Sequence, residues 1–207
     1  TLLAALDESF RRIDFAKPAS EAFYSSVAAS LEWLRAEVAR LGERDELKPT
    51  VVAIGHAHID MAWLWRSTHS REKAARTFAT VLHLTRQYPE YRFMHSSPQL
   101  YKFLKQDQPE IYARVKERIK AGDWEITGGA WIEPDTNLPN GESLVRQILF
   151  GKRFVRDEFG LEMRVLWLPD VFGYNAALPQ ILRKSGIDYF LTSKLSWNQF
   201  NRMPHDT

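Results

Sequence analysis

The segment His56-Ala57-His58-Ile59-Asp60 sets two imidazoles and a carboxylate at alternate positions. In extended backbone, side chains two residues apart point the same way. His56, His58 and Asp60 then share one side, while Ala57 and Ile59 pack away from it. Imidazole and carboxylate ligands suit Zn²⁺ and other divalent first-row ions. On spacing alone, His56 is as good a ligand as His58. The plainer reading is a pair of core or capping histidines with Asp60 at a helix N-cap. Trp63, Trp65 and Arg66 follow at once. They either pack at the start of a helix or offer a flat amphipathic ring to a sugar.

Other groups of the same chemistry lie far along the chain. Asp170 follows the apolar run Val165-Leu166-Trp167-Leu168 and precedes Val171-Phe172-Gly173-Tyr174. An Asp in that place often caps a helix. Gly173 and Pro179 predict a loop there instead, which weakens the capping explanation. Asp170 can add a third ligand to an ion held by His58 and Asp60. A carboxylate held through one oxygen and free on the other can act as a nucleophile. Glu133 and Asp135 lie on the loop after Gly128-Gly129, where glycines allow close approach to a ligand or simply make a turn. Those two acids either orient other groups or touch substrate. Ser193 and Lys194 follow Tyr189-Phe190-Leu191-Thr192, and His95-Ser96-Ser97 follows Tyr91 to Met94. His69, His83 and His205 fall outside this set and read as structural or solvated.

These residues share one kind of address. Short apolar runs at Val51–Gly55, Tyr91–Met94, Trp124–Thr127, Val165–Leu168 and Tyr189–Thr192 read as buried strands, each ending at one of the polar clusters. Between them the apolar spacing is helical, at 74–82, from Pro98 to Gly122 with a break near Pro109, at 144–159, and at 178–185. Gly160 and Gly186 close the last two. The order β-α-β-α-β-α-β-α-β predicts an α/β fold with parallel strands. In such folds active sites form at the carboxyl ends of the strands. Ahead of this, apolar residues recur at steps of three and four over 1 to about 45, split by Pro18 and an N-capping Ser20. That predicts an amphipathic helical pair serving as a packing layer or an oligomer contact.

Composition narrows the function classes. Over 207 residues the chain is 44% hydrophobic and 26% charged, with a formal charge of +2. The balance is that of an ordinary globular protein and argues against a nucleic-acid partner. No apolar run approaches the roughly 18 residues needed to span a membrane. The absence of Cys excludes disulfides and thiolate metal sites in this segment. No signal peptide is visible, which with the lack of Cys fits a cytoplasmic protein. The chain starts at Thr1 rather than Met and stops at Thr207 without an ending signal, so it reads as a fragment.

Three blocks carry a resemblance. His56-Ala57-His58-Ile59-Asp60-Met61-Ala62-Trp63-Leu64-Trp65 resembles the metal-binding signature of glycoside hydrolase family 38 α-mannosidases. Trp124 to Trp131 with Glu133-Pro134-Asp135-Thr136-Asn137-Leu138-Pro139 is similar to a second block of that family. Trp167-Leu168-Pro169-Asp170-Val171-Phe172-Gly173-Tyr174 is similar to the block that holds the nucleophile. The match runs from about residue 50 to the end, nearest to the cytosolic, vacuolar-type and bacterial branch. The resemblance implies a (β/α) barrel of about seven parallel strands, with 1–48 as a helical lead-in and 49–207 as the first part of the catalytic domain. It implies one divalent ion, Zn²⁺ foremost and Co²⁺ as another option, bound by His58, Asp60 and Asp170. Asp170 is also the implied nucleophile, and His56 becomes a neighbour. Trp63 is implied to lie under a mannose ring, with Glu133, Asp135 and Lys194 as substrate contacts. Lys194 stands where Golgi and lysosomal relatives carry Arg.

The implied reaction is retaining hydrolysis of an α-mannoside oligosaccharide through a covalent mannosyl-Asp170 species. Such a mechanism needs a second carboxyl group about 5 Å from the first as acid/base. In the family that group and a further His ligand come from a later segment, so the isolated fragment is expected to be inactive and to bind metal weakly. The full-length protein is expected to be a homo-oligomer. Two other functions use similar residues. A metal-dependent polysaccharide deacetylase would activate water on the ion, but the Trp-Leu-Pro-Asp-Val-Phe-Gly block fits it poorly. A non-catalytic carbohydrate-binding protein would need no intact nucleophile.

Overall fold

Ser20 stops one helix-forming stretch from running into the next. The computed structural model describes residues 1–43 and 51–197, and the chain divides into two compact units, Thr1–Val52 and Ala53–Thr207. In the first unit, helix α1 spans Leu2–Arg11 and α2 spans Glu21–Gly42. Ser20 Oγ accepts from the Phe23 amide at 3.1 Å, the predicted N-cap. The pair meets at small residues. Ser9 and Ser30 are buried, their hydroxyls lie 2.9 Å apart, and Ser30 Oγ donates to the Ser9 carbonyl. The predicted apolar stripe is covered in part: Leu41 is buried and Phe23, Val27 and Leu34 are half-buried on α2. Leu3, Leu6 and Phe10 stay exposed, because two helices touching at Ala5, Ser9 and Ser30 enclose only a thin strip.

The second unit alternates helix and strand. Helix α3 (Ser67–Gln87) precedes strand β1 (Phe93–His95). Helices α4 (Pro98–Asp107) and α5 (Pro109–Ala121) follow, broken at Gln108 by the predicted proline. Strand β2 (Trp124–Ile126) leads to α6 (Gly141–Phe159), closed by Gly160 at φ 69°. Strand β3 (Val165–Leu168), helix α7 (Leu178–Lys184), strand β4 (Tyr189–Thr192) and a 3₁₀ turn (Lys194–Trp197) complete the described chain.

Parallel pairing runs in chain order. Strand β1 pairs with β2, Phe93 opposite Trp124, and β3 pairs with β4, Val165 opposite Tyr189. A parallel bridge from Gly128 to Leu166 links the two pairs. Gly128 sits at φ 117°, and a Cβ there would meet the Ser96 Cβ at 3.0 Å, so this approach requires glycine. The first predicted strand is reduced to a single parallel bridge between Gly55 and Phe93. Val51, Val52 and Ile54 are exposed, so the apolar run lacks the burial that sustains a parallel strand.

The core positions the strand ends. Phe78, Phe93 and Trp124 pack at 4.6–5.1 Å with edge-on rings, and Trp124 Nε1 donates to Tyr101 Oη at 2.8 Å. A second cluster of Leu166, Leu168, Leu182, Ile187 and Ile148 lies beneath β3 and its loop.

Candidate metal centre

Each polar cluster emerges where a strand or bridge ends. After Gly55 the backbone turns irregular, and His95 at the end of β1 holds it. The His95 ring is fully buried, with Nε2 2.8 Å from the Ala57 carbonyl and Nδ1 2.5 Å from the Ser96 carbonyl. Burial pushes its pKa down to about 4, against the opposing effect of these two carbonyls. His56 points inward: Nδ1 donates to the Met94 carbonyl at 3.1 Å, and the ring packs edge-on against Trp167 at 5.1 Å. That leaves the lone pair on His56 Nε2, which is buried with no hydrogen-bond partner among the described residues.

His58 lies among three carboxylates. Its Nδ1 is 3.1 Å from Glu133 Oε2, and its Nε2 is 3.4 Å from both Asp60 Oδ1 and Asp170 Oδ2. Contact with Glu133 is the main cause that raises the imidazole pKa to about 9, against the opposing effect of partial burial. Glu133 Oε1 in turn accepts from Ser96 Oγ at 2.6 Å. The Asp60 carbonyl accepts from Ser70 Oγ at 2.9 Å, which also accepts from Trp65 Nε1 at 3.0 Å, so the start of α3 fixes this loop.

Asp170 leaves the end of β3 on a turn knotted by Tyr174. The Tyr174 hydroxyl contacts the Leu168 and Val171 carbonyls at 2.9 and 3.0 Å and Thr192 Oγ1 at 2.5 Å. Lys194 Nζ lies 2.9 Å from Asp170 Oδ1 and 3.6 Å from the centre of the Trp197 ring. The ammonium is thus held between a carboxylate and an aromatic face.

Among the described residues, two sets of ligand atoms converge within 4.8 Å of one another: His58, Asp60 and Asp170, and His56, His58 and Glu133. One nitrogen with two carboxylate oxygens is a donor set that fits Zn²⁺ or a similar divalent ion. A cleft of about 180 Å³ opens beside it, lined among others by His58, Asp60, Ser97, Glu133, Asp135 and Asp170. Asp135 is partly committed elsewhere: its Oδ1 accepts from the Asn137 and Leu138 amides at 2.7 and 2.8 Å, which shapes the loop. Trp63 does not line the cleft. It is 67% exposed, its ring edge-on to Trp65 at 5.4 Å.

Some participants carried little signal in the sequence. In the sequence Ser96 does no more than follow an apolar run, and its grip on Glu133 depends on a pairing across 37 residues. Ser97 adopts φ 64°, unusual for a residue other than glycine, and lines the cleft. Tyr174 closes the Trp167–Tyr174 block, but its role in fixing the Asp170 turn depends on the position of Thr192. An apolar groove of about 390 Å³ between α7 and β4 contains none of the candidate ligands.

The chain is similar to known proteins over most of its length. The family described as glycosyl hydrolases family 38 N-terminal domain matches residues 48–207. Alpha-mannosidase G of Dictyostelium discoideum is 47% identical over 162 residues, 78% of this chain and 15% of that protein. An alpha-mannosidase of Saccharomyces cerevisiae is 47% identical over 158 residues, 76% of this chain and 15% of that protein. The crystal structure of an alpha-mannosidase from Enterococcus faecalis V583 superposes with a TM-score of 0.62 at 25% identity, covering 67% of this chain and 16% of that one. The chain therefore spans about 15% of the length of the curated relatives it matches. With the family matched over residues 48–207 and close to half of the aligned residues identical in these relatives, this chain belongs to glycosyl hydrolase family 38.

Proposed function

We propose that the full-length protein is a metal-dependent retaining α-mannosidase and that this chain supplies the nucleophile and most of its metal ligands. One observation carries the reading: His58 Nε2, Asp60 Oδ1 and Asp170 Oδ2 converge beside a cleft while the other oxygen of Asp170 faces Lys194. His58, Asp60 and Asp170 would hold the ion, with Zn²⁺ the best match to the donors and Co²⁺ a workable substitute. When bound, such an ion supplies Lewis-acid polarisation and a grip on neighbouring sugar hydroxyls.

The protein's own groups perform the displacement. Asp170 attacks the anomeric carbon of mannose, the bond from that carbon to the leaving oxygen breaks, and a mannosyl ester forms on Asp170. Water then hydrolyses the ester with retention. Lys194 holds the attacking carboxylate in place, and the exposed ring of Trp63 offers a face to sugar. Glu133 and Asp135 line the same cleft. A second carboxyl group would protonate the leaving oxygen and then take the proton from the attacking water.

The reading extends to the architecture. Sequential parallel pairing from Gly55 to β4 supports the front part of a (β/α) barrel over 49–207, with 1–48 as a helical lead-in that can serve an oligomer contact. Among the described residues no helix is long and apolar enough to cross a membrane. A cytoplasmic setting remains part of the proposal, supported by the lack of Cys.

A fluorinated mannosyl trap on the full-length protein tests the function. It is expected to leave a covalent label on the peptide containing Asp170. Turnover with no label there, or a label on another carboxylate, would overturn the assignment.

A further inference from the structure

Glu133 is set back from the open side of the cleft. Its side chain is only 11% exposed, against 36% for Asp60 and 37% for Asp170. One of its oxygens is hydrogen-bonded to protein, and the other lies beside the His58 ring. Oε1 accepts from Ser96 Oγ at 2.6 Å, and Ser96 is itself buried beyond the end of β1. Oε2 is buried, accepts no well-aligned hydrogen bond among the described residues, and lies 3.1 Å from His58 Nδ1. A carboxylate in that position selects the imidazole tautomer with its proton on Nδ1. The lone pair then falls on Nε2, the atom 3.4 Å from both Asp60 and Asp170.

We infer that Glu133 is a positioning residue, which Ser96 holds in place and which fixes the tautomer and ring direction of His58 so that Nε2 faces Asp60 and Asp170. This replaces the direct sugar contact that the resemblance implied for Glu133. The inference rests on the reading of His58, Asp60 and Asp170 as metal ligands. A carboxylate behind a ligating imidazole raises its basicity and removes its freedom to rotate, and loss of such a partner costs 10–100-fold in metal affinity.

The test uses the full-length protein and measures Zn²⁺ affinity by competition with a chromogenic chelator. KM for a nitrophenyl mannoside is measured separately at saturating Zn²⁺. Glu133→Gln is expected to weaken Zn²⁺ binding about 10–100-fold while KM at saturating metal stays within about twofold. Ser96→Ala, which frees Glu133 without touching His58, is expected to weaken Zn²⁺ binding in the same direction by a smaller factor. The serine variant decides the matter if Glu133→Gln does not fold. Unchanged Zn²⁺ affinity with a raised KM would make Glu133 a sugar contact and overturn the inference. An equal loss of affinity in His56→Gln would place Glu133 in a ligand set with His56, and would also overturn it. His58→Ala separates this inference from the reading beneath it. If that variant binds Zn²⁺ as well as the parent, the metal centre itself is misassigned. If it loses Zn²⁺ while the Glu133 and Ser96 variants do not, only the positioning role fails.

Discussion

Asp170 divides its two carboxylate oxygens between partners of different kinds: Oδ1 lies 2.9 Å from Lys194 Nζ, and Oδ2 lies 3.4 Å from His58 Nε2. One oxygen is thus turned to the ligand cluster and the other to the Lys194 ammonium. A group that both holds an ion and attacks carbon needs this division. Asp170→Asn keeps the shape but removes the charge. In the full-length protein it is expected to lower kcat by at least roughly 10³-fold, since nucleophile and ligand are lost together. Steady-state kinetics with a metal analysis of the purified variant checks both effects. Activity within tenfold of the parent would exclude Asp170 as nucleophile.

Lys194 is the partner most sensitive to conservative change. Its ammonium sits 3.6 Å from the centre of the Trp197 ring as well as beside Asp170. Lys194→Met removes the charge but retains most of the stem, so packing against the ring survives. It is expected to lower kcat/KM about 10–100-fold, a loss of roughly 1.4–2.8 kcal/mol of transition-state stabilisation. Lys194→Arg keeps the charge and should recover part of that loss. Equal damage from both variants would point to packing as the function of Lys194.

The elevated pKa of His58 predicts how metal binding and stability depend on pH. Glu133 holds the imidazole pKa up at about 9, above its ordinary 6.5. A raised pKa in the folded state adds stability that is fully present below pH 6.5 and lost as pH rises through 9. With a chelator present, Tm should therefore fall across that window. Zn²⁺ needs the imidazole neutral, so its uptake near pH 7 should release a proton. Titration calorimetry in buffers of different ionisation enthalpy measures that release. Thermal melts with and without Zn²⁺ should diverge as pH rises from 6.5 to 9. A chelated protein whose Tm is flat over this range would remove Glu133–His58 pairing as a source of stability.

Much of this site was legible because strand ends carry a local signature. Val165–Leu168 followed by Asp170 reads as a buried strand with a carboxylate at its carboxyl end, and the structure has β3 over those four residues. Ser20 and Gly160 marked helix ends by their own chemistry, one through a side-chain acceptor and one through a left-handed backbone. What could not be read depends on partners distant in sequence. His56 and His58 are equivalent by spacing, and only the Met94 carbonyl and Glu133 give their ring nitrogens different roles. Val51–Gly55 has strand composition, but composition does not show whether anything covers it. The run stays exposed apart from one bridge at Gly55.

Gly129 tests the geometry that delivers the Glu133 loop. Its φ is 69°, and a Cβ there would lie 2.7 Å from the Val165 carbonyl oxygen and 3.2 Å from Leu166 Cα. Both the backbone conformation and the space therefore require glycine. Gly129→Ala is expected to cost about 1–3 kcal/mol, because the backbone of β3 cannot move aside as a flexible side chain would. Gly141 is a control, with nothing within 4 Å of a built Cβ. Gly141→Ala should be neutral or slightly stabilising, as it begins α6. Denaturant melts of the full-length variants compare the two. Equal stability would show that the β3 backbone yields at this contact.

Trp63 separates substrate binding from stability most cleanly. It is 67% exposed and packs edge-on against Trp65, whose own indole is anchored to Ser70. Loss of an exposed ring changes stability by no more than about 0.5 kcal/mol. A ring that stacks on mannose, in contrast, contributes about 0.5–1.5 kcal/mol beyond area burial, as aromatic pairs do. Trp63→Ala should therefore leave Tm unchanged in the absence of sugar and raise KM several-fold. Trp63→Phe, which keeps an apolar face, should raise it less. A shift in Tm of several degrees without any change in KM would assign Trp63 to the packing of its own loop. The Trp65–Ser70–Asp60 chain makes the two outcomes separable, since it holds the Asp60 backbone without help from Trp63.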